Sequence, residues 1–174
     1  MKTLYNIIEG AGHIKNRLGA GSSGVVYKVG SGVHKFLRVE TSHNMMSAEK
    51  KIIERWAKIK SGLEVIPYIT NVDWDGYDME YCECPCPEGE LIDKVLWKCL
   101  FSPVRKDWSK ERIDKAIALV GKKDAEWVMD WLDKYCHDYA LITGNGRMND
   151  DIRLANIGKT KDGRVVCFDW FSAY

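Results

Sequence analysis

The residues best suited to chemistry begin with a glycine-rich segment, residues 19–26, whose order is G-x-G-x-x-G-x-V. Glycine lets backbone N–H groups approach a phosphate closely. A β-rich run follows these glycines where a dinucleotide-binding fold would have a helix, so a Rossmann site is disfavoured. We therefore expect a hairpin that covers phosphates, and an ordinary glycine-rich turn is the alternative. Its expected contact residues are Gly19, Gly21, Ser22, Ser23, Gly24 and Val26.

A lysine and a glutamate form the next candidate pair. Lys35 lies in an alternating segment that is typical of the strand after the hairpin. In residues 44–59, apolar residues recur with helical spacing, and Glu49 falls in the middle of that apolar stripe. A carboxylate on a buried face needs a partner, so we expect Glu49 to pair with Lys35. A solvated Glu49 at a frayed helix start is the alternative.

Three polar residues near the end of the chain could bind a metal ion and a substrate. Asp151 and Asn156 form a D-x-x-x-x-N pattern, and Asp169 follows thirteen residues after Asn156. If Asp162 and Gly163 make a two-residue hairpin turn, Asn156 lies directly opposite Asp169. Amide and carboxylate oxygens suit Mg²⁺, and Asp151 would lie within reach of a substrate hydroxyl. Three surface turn residues are the alternative.

The elements that must position these residues change along the chain. The first part is typical of strands, and the second of helices followed by a hairpin. Prolines and a glycine in residues 84–90 predict a linker. This order predicts one α+β domain over residues 1–174, with a β-rich N-lobe, a hinge and a reduced helical C-lobe. The expected boundaries are 1–81, 82–90 and 91–174. The expected strands are 25–29, 33–39, 65–72, 77–81, 154–158 and 164–168, and the expected helices are 44–59, 110–120 and 124–138.

Composition and charge exclude several classes of protein. The 174 residues carry 26 basic and 25 acidic side chains and a net charge of +1, so we expect no nucleic acid and no membrane partner. No apolar run is long enough to span a bilayer, and residues 1–10 do not read as a signal peptide, so we expect a cytoplasmic protein. Charge is uneven, with eight acids and no base in residues 73–93. We expect a solvated acidic face there, which leaves partner binding open.

The six cysteines favour free thiols. Cys82, Cys84 and Cys86 are spaced by one residue, whereas zinc ligands are usually two to four apart in two knuckles. Zinc is therefore the less favoured interpretation. We expect reduced cysteines, some of them buried as small apolar side chains.

Taken in order, these signals resemble the protein-kinase-like superfamily over most of the chain. Residues 19–26 resemble its Gly-rich loop, Lys35 its third-strand lysine, and Glu49 the partner of that lysine on the αC helix. The segment around Glu80 and Cys82 is similar to the kinase hinge, which implies that its backbone meets adenine.

The resemblance also assigns roles near the end of the chain. Asp151 matches the catalytic-loop aspartate, and Arg153 matches the basic residue often found near it. Asn156 and Asp169 match the two metal ligands. The implied cofactors are ATP and Mg²⁺.

The chain departs from the kinase pattern in three places. Asn149 and Asp150 stand where the H-R-D motif has His and Arg, and Trp170 and Phe171 follow Asp169, so the glycine of D-F-G is missing. The sequence ends five residues after Asp169, without an A-P-E motif. A chain with these departures resembles compact or atypical kinases, including bacteriophage-encoded ones.

The implied activity is transfer of the ATP γ-phosphate to protein hydroxyls by a reduced serine/threonine kinase. A pseudokinase that binds or inhibits a protein, and a small-molecule kinase, are the alternatives. Since no peptide platform is evident, we expect folded proteins or the chain itself as substrates, with a homodimer as one route to autophosphorylation. If the chain is viral, we expect it in the host cytoplasm.

Overall fold

The computed structural model describes residues 17–20, 24–37, 51–73, 76–100, 108–144 and 152–168. It is a mixed α+β structure with two sheets and several helices. Its contacts divide the chain into two compact units. The first contains residues 1–61, 68–81 and 172–174, and the second contains residues 62–67 and 82–171.

The first unit contains a five-stranded antiparallel sheet, in the order β1-β2-β3-β5-β4. The predicted hairpin is confirmed, with Val29 paired to Gly32 at the turn. Its strands are rich in valine and aromatic residues, and Val25, Tyr27 and Phe36 form a buried cluster on one face. The strands are β1 Arg17–Ala20, β2 Gly24–Val29, β3 Gly32–Leu37, β4 Ile69–Val72 and β5 Gly76–Glu80.

The predicted helix at 44–59 is described only in part. Residues 51–56 are helical, and the chain turns after Trp56, three residues before the predicted end. Ile53 and Trp56 are buried, as the apolar stripe predicts, and Glu54 is exposed. The Trp56 ring lies 5.7 Å from the Tyr77 ring, so this helical segment packs on the sheet.

The second unit combines a three-stranded sheet with helices. The sheet has the order β6-β7-β8, with β6 Cys82–Glu83, β7 Ile157–Thr160 and β8 Val165–Cys167. The helices are α1 Pro87–Val95, α2 Lys110–Val120 and α3 Lys122–Thr143. A π-helical turn, Leu96–Leu100, extends α1, and a 3₁₀ turn, Leu154–Asn156, precedes β7.

The two later helices follow from local sequence signals. Helix α2 begins after Ser109, whose hydroxyl accepts a hydrogen bond from the Arg112 amide at 3.4 Å, and Gly121 ends it, as predicted. Helix α3 is longer than the predicted 124–138 and ends at Gly144. Its buried side chains include Val128, Leu132 and Tyr135, which recur at helical spacing.

The predicted linker at residues 84–90 is wrong in its second half, where α1 begins. Pro87 occupies the first turn of α1, where its missing N–H costs no intrahelical hydrogen bond. Gly89 lies in the same turn, where a Cβ would come within 3.3 Å of the Cys86 sulfur. Proline and glycine usually interrupt a helix. Both residues are tolerated here because of their positions in the first turn.

Within the described residues, no helix has the length and apolar character needed to cross a bilayer.

Candidate active site

The glycine-rich segment joins two antiparallel strands. Gly19 on β1 pairs with Val26 on β2, which confirms that a strand, and not a helix, follows the glycines. At Gly24, the β2–β3 pairing is so close that a Cβ would lie 2.1 Å from the Phe36 carbonyl oxygen. Gly24 therefore has a packing requirement of its own. Gly21, Ser22 and Ser23 lie outside the described residues.

Lys35 is buried in the middle of the first sheet. It pairs with Val26 on β2 and with Tyr77 on β5, and directly opposed residues of antiparallel strands share a face. Only 5% of Lys35 is exposed. Since Trp56 contacts Tyr77, the helical segment 51–56 covers the same face as Lys35. Glu49, its predicted partner, lies outside the described residues.

Each of the two predicted hinge residues belongs to a different sheet. The Glu80 carboxylate accepts a 2.8 Å hydrogen bond from the Tyr68 amide, and the Glu80 amide donates to the Tyr68 carbonyl at 3.2 Å. Cys82 begins β6 and pairs with Thr160 of the second sheet. The Glu80 main-chain N–H is therefore already used within the first unit.

The predicted metal ligand Asn156 ends the 3₁₀ turn before β7. It is half-buried, and its amide donates to the Arg153 carbonyl at 2.8 Å. Its carbonyl accepts a 2.9 Å hydrogen bond from the amide of Phe168. Arg153 is exposed at the start of this turn. Asp151 and Asp169 lie outside the described residues, so their placement is not described.

The hairpin register differs from the prediction by one residue. Ile157 pairs with Cys167, which places Asn156 opposite Phe168 and not opposite Asp169. The turn between Thr160 and Arg164 contains three residues, not two, and Gly163 has a φ of 89°. Such three-residue loops place a glycine in the left-handed region before the second strand resumes.

Side chains within the turn favour this longer form. The Asp162 carboxylate accepts hydrogen bonds from the Thr160 hydroxyl and, at 2.9 Å, from Arg164 Nε. These two bonds, the Thr160 bond first, lower the pKa of Asp162 to about 2. The Arg164 amide also donates to the Thr160 hydroxyl oxygen at 3.0 Å, which closes the turn.

A residue that the sequence did not single out, Asp93, fixes the start of the 3₁₀ turn. Its carboxylate accepts a 3.0 Å hydrogen bond from the Leu154 amide, sixty-one positions later. Cys84 also reaches this turn, and its thiol donates to the Ala155 carbonyl at 3.5 Å. Burial, with the neighbouring Cys86 second, raises the pKa of the Cys84 thiol, so it remains a neutral donor at physiological pH. No local signal links Asp93 or Cys84 to this turn.

Several acids of the stretch 73–93 have partners within the chain, so the expected solvated acidic face is only partly present. The Glu88 carboxylate lies 2.5 Å from Lys159 Nζ, and hydrogen bonding to that ammonium lowers the pKa of Glu88. Asp78, Glu80 and Asp93 also accept hydrogen bonds. All six cysteines are free thiols, and Cys86, Cys99, Cys136 and Cys167 are buried, as expected.

Two cavities of the second unit contain none of the predicted site residues. One, of about 320 Å³, is lined by Trp127 and Trp131 among others. The other, of about 400 Å³, is lined by Trp97, Arg112 and Lys115 among others. Neither therefore adds a residue to the candidate active site.

Comparisons with known proteins provide little further guidance. No protein-family model and no curated protein matches the sequence. Among solved structures, the chain is similar to a mutant kinase domain of Mycobacterium tuberculosis PknI, with 15% identity and a TM-score of 0.45. The match covers 89% of this chain and 57% of that kinase domain, so the chain spans little more than half of it. We base no family assignment on a likeness this weak.

Proposed function

We propose that the chain is an ATP- and Mg²⁺-dependent phosphotransferase with a reduced protein-kinase-like, two-lobed fold, acting on serine or threonine hydroxyls of proteins. One observation carries the proposal: Lys35 is buried on the strand that follows the glycine-rich hairpin, directly across from Val26. Lysine is almost never buried without an anionic partner, because removing its charge from water is costly.

In the proposal, the anions that meet Lys35 are a nucleotide phosphate and a carboxylate. In the proposal, the glycine-rich sequence of residues 19–24 lets backbone N–H groups approach a phosphate. Helical periodicity of the sequence relates Glu49 to Ile53, one turn later, and Ile53 is buried. In the proposal, Lys35 holds the phosphates and Glu49 orients Lys35.

The residues after α3 complete the proposed mechanism. Asp151 orients the attacking hydroxyl and accepts its proton, and Arg153 balances charge on the transferring phosphoryl group. An amide and a carboxylate, from Asn156 and Asp169, suit Mg²⁺ as a donor set. The bound ion would neutralise charge on the phosphate oxygens. The hydrogen bonds at both ends of the 3₁₀ turn support this assignment, since they keep Asn156 in a fixed position.

The test measures nucleotide binding and phosphate transfer with the full chain. ATP with Mg²⁺ should raise the melting temperature, because a ligand that binds only the folded state stabilises it. Lys35→Ala should abolish most of that rise and most transfer from γ-labelled ATP. Lys123→Ala is the control, because Lys123 lies exposed on helix α3. Equal responses of both variants would contradict the role of Lys35.

We propose folded proteins and the chain itself as substrates. Ser22, Ser23 and Ser172 are the expected autophosphorylation sites, which mass spectrometry after incubation with ATP and Mg²⁺ would locate. Nucleotide binding without phosphate on any protein would favour a pseudokinase or a small-molecule kinase. Rapid turnover of short unstructured peptides would argue against a requirement for a folded partner.

A further inference from the structure

A separate group of ligand-type side chains lies in the first unit, on the other face of the sheet from Lys35. His34 on β3 pairs directly with Asp78 on β5, and Asn71 on β4 pairs with Asp78 from the other side. Because successive strand residues point to opposite faces, His34 and Lys35 lie on different faces. Asp73 follows the end of β4. Three adjacent strands thus bring these side chains together.

The distances within this group are short. His34 Nδ1 lies 2.6 Å from Asp78 Oδ1. Asn71 Nδ2 lies 3.1 Å from Asp73 Oδ2 and 3.4 Å from Asp78 Oδ2. One potential ligand atom from each of His34, Asp73 and Asp78 lies within 4.8 Å of the other two.

The structure fixes which edge of the His34 ring faces the carboxylates. His34 is 6% exposed, and its ring packs against Phe36 with 4.2 Å between ring centroids. Its Nε2 edge lies over Gly76, where a Cβ would come within 2.8 Å of Nε2. The Nδ1 edge is therefore directed at Asp78, while Asp73 is exposed and leaves the group open to solvent.

The charges of the group favour a cation. Asp73 and Asp78 are both carboxylates, and a single neutral amide, that of Asn71, bridges them. Two neighbouring anions repel each other unless a positive charge lies close to both. Rotation of the Asn71 amide by half a turn would replace its donor NH₂ with an acceptor oxygen, which adds a potential ligand.

We propose that His34, Asp73 and Asp78 form a binding site for a divalent transition metal ion such as zinc. Imidazole with carboxylates suits zinc and its neighbours, whereas Mg²⁺ prefers oxygen ligands alone. The Asn71 carbonyl oxygen or water takes the fourth position. Ligands at about 2.1 Å from a tetrahedral ion stand roughly 3.4 Å apart, so His34 Nδ1 and Asp78 Oδ1, now 2.6 Å apart, must separate by about 0.8 Å. The site is independent of the proposed nucleotide site.

Co²⁺ is the probe, because it replaces Zn²⁺ and its absorption spectrum reveals the ligand type. Thiolate ligands produce intense near-ultraviolet charge-transfer bands, which nitrogen and oxygen ligands lack, so binding at the six cysteines is distinguishable. The full chain without nucleotide should bind Co²⁺ with visible bands only. Its melting temperature should rise as the metal is added.

Variants of the ligands decide the proposal. Asp73→Asn, Asp78→Asn and His34→Gln should each weaken Co²⁺ binding at least tenfold and abolish the visible bands. His137→Gln and Asp133→Asn, exposed on α3, should leave binding unchanged. If His34→Gln fails to fold, Asp73→Asn gives the answer, since Asp73 is exposed. Unchanged binding in Asp73→Asn and Asp78→Asn, a purely thiolate spectrum, or no binding by the wild type would overturn the proposal.

Discussion

Oδ2 of Asp138, on helix α3, accepts a hydrogen bond of 2.8 Å from the backbone amide of Val65. The same oxygen accepts from the amides of Glu64 and Ile66, at 2.8 and 3.2 Å. Asp138 is fully buried. Burial raises the pKa of its carboxyl, and the three amide hydrogen bonds oppose that increase. One side chain therefore satisfies three consecutive main-chain donors of the segment 62–67.

We expect Asp138→Ala to destabilise the protein by about 3 kcal/mol, because three buried or part-buried amides lose their acceptor. Urea denaturation of the purified variant measures the loss. Asp133→Ala, exposed on the same helix, is the control and should change the free energy of unfolding by no more than about 0.5 kcal/mol. A loss for Asp138→Ala as small as that of the control would contradict the assigned role.

The Asp162 carboxyl should titrate at about pH 2. Its pKa lies below the unfolded value of 3.8, so the folded state gains stability above the unfolded pKa and loses it as the pH falls through the folded pKa. Because Asp162 is largely exposed, the gain is only a few tenths of a kcal/mol. NMR titration of the carboxyl carbon measures the midpoint. Thr160→Val should move it towards 3.8, and a wild-type midpoint already near 3.8 would disprove the Thr160 contribution.

The two described glycines of the glycine-rich segment should differ in their effect on stability when replaced by alanine. Gly24→Ala places a methyl group against the Phe36 carbonyl oxygen and should cost about 2 kcal/mol or more of stability. At Gly19 no atom of the described residues, chain neighbours aside, lies within 4 Å of the added Cβ, so Gly19→Ala should be nearly neutral for folding. Thermal unfolding compares the two variants. Equal melting temperatures would show that strands β2 and β3 can move apart at Gly24 to accommodate the methyl group.

Phosphate transfer should depend on Asp151 and much less on Asp150. The D-x-x-x-x-N spacing to Asn156 selects Asp151 as the residue that meets the substrate hydroxyl. We expect Asp151→Asn to reduce transfer at least a hundredfold and to leave ATP binding nearly intact, because its role arises at the reacting hydroxyl. Radiolabel transfer and nucleotide-induced melting shifts measure the two properties. The reverse ranking of the two variants would move the catalytic loop by one residue.

Local patterns were sufficient for some elements. The hairpin β2–β3 and helix α2 were predicted because their turn, cap and periodicity lie within a few residues of one another. Helix α1 was missed because Pro87 and Gly89 were read by residue type, whereas their position in the first turn makes both acceptable.

Relationships between distant segments could not be predicted. The hairpin register depends on whether the turn has two or three residues, and hydrogen bonds among Thr160, Asp162 and Arg164 favour three. The capping of the 3₁₀ turn by Asp93 joins residues sixty-one positions apart, and only folding brings them together. The burial of Lys35 was not predicted, because the sequence analysis inferred only that Lys35 pairs with Glu49.

The assignment of residues 62–67 to the second unit means that neither unit is encoded by one continuous stretch of sequence. A fragment containing only residues 82–171 would include Asp138 without the amides that it binds. The complementary N-terminal fragment would carry those amides without their carboxylate. No single cut separates the two units, because a cut between residues 61 and 62 leaves 68–81 of the first unit attached to the second, and a cut between 81 and 82 removes 62–67 from the second.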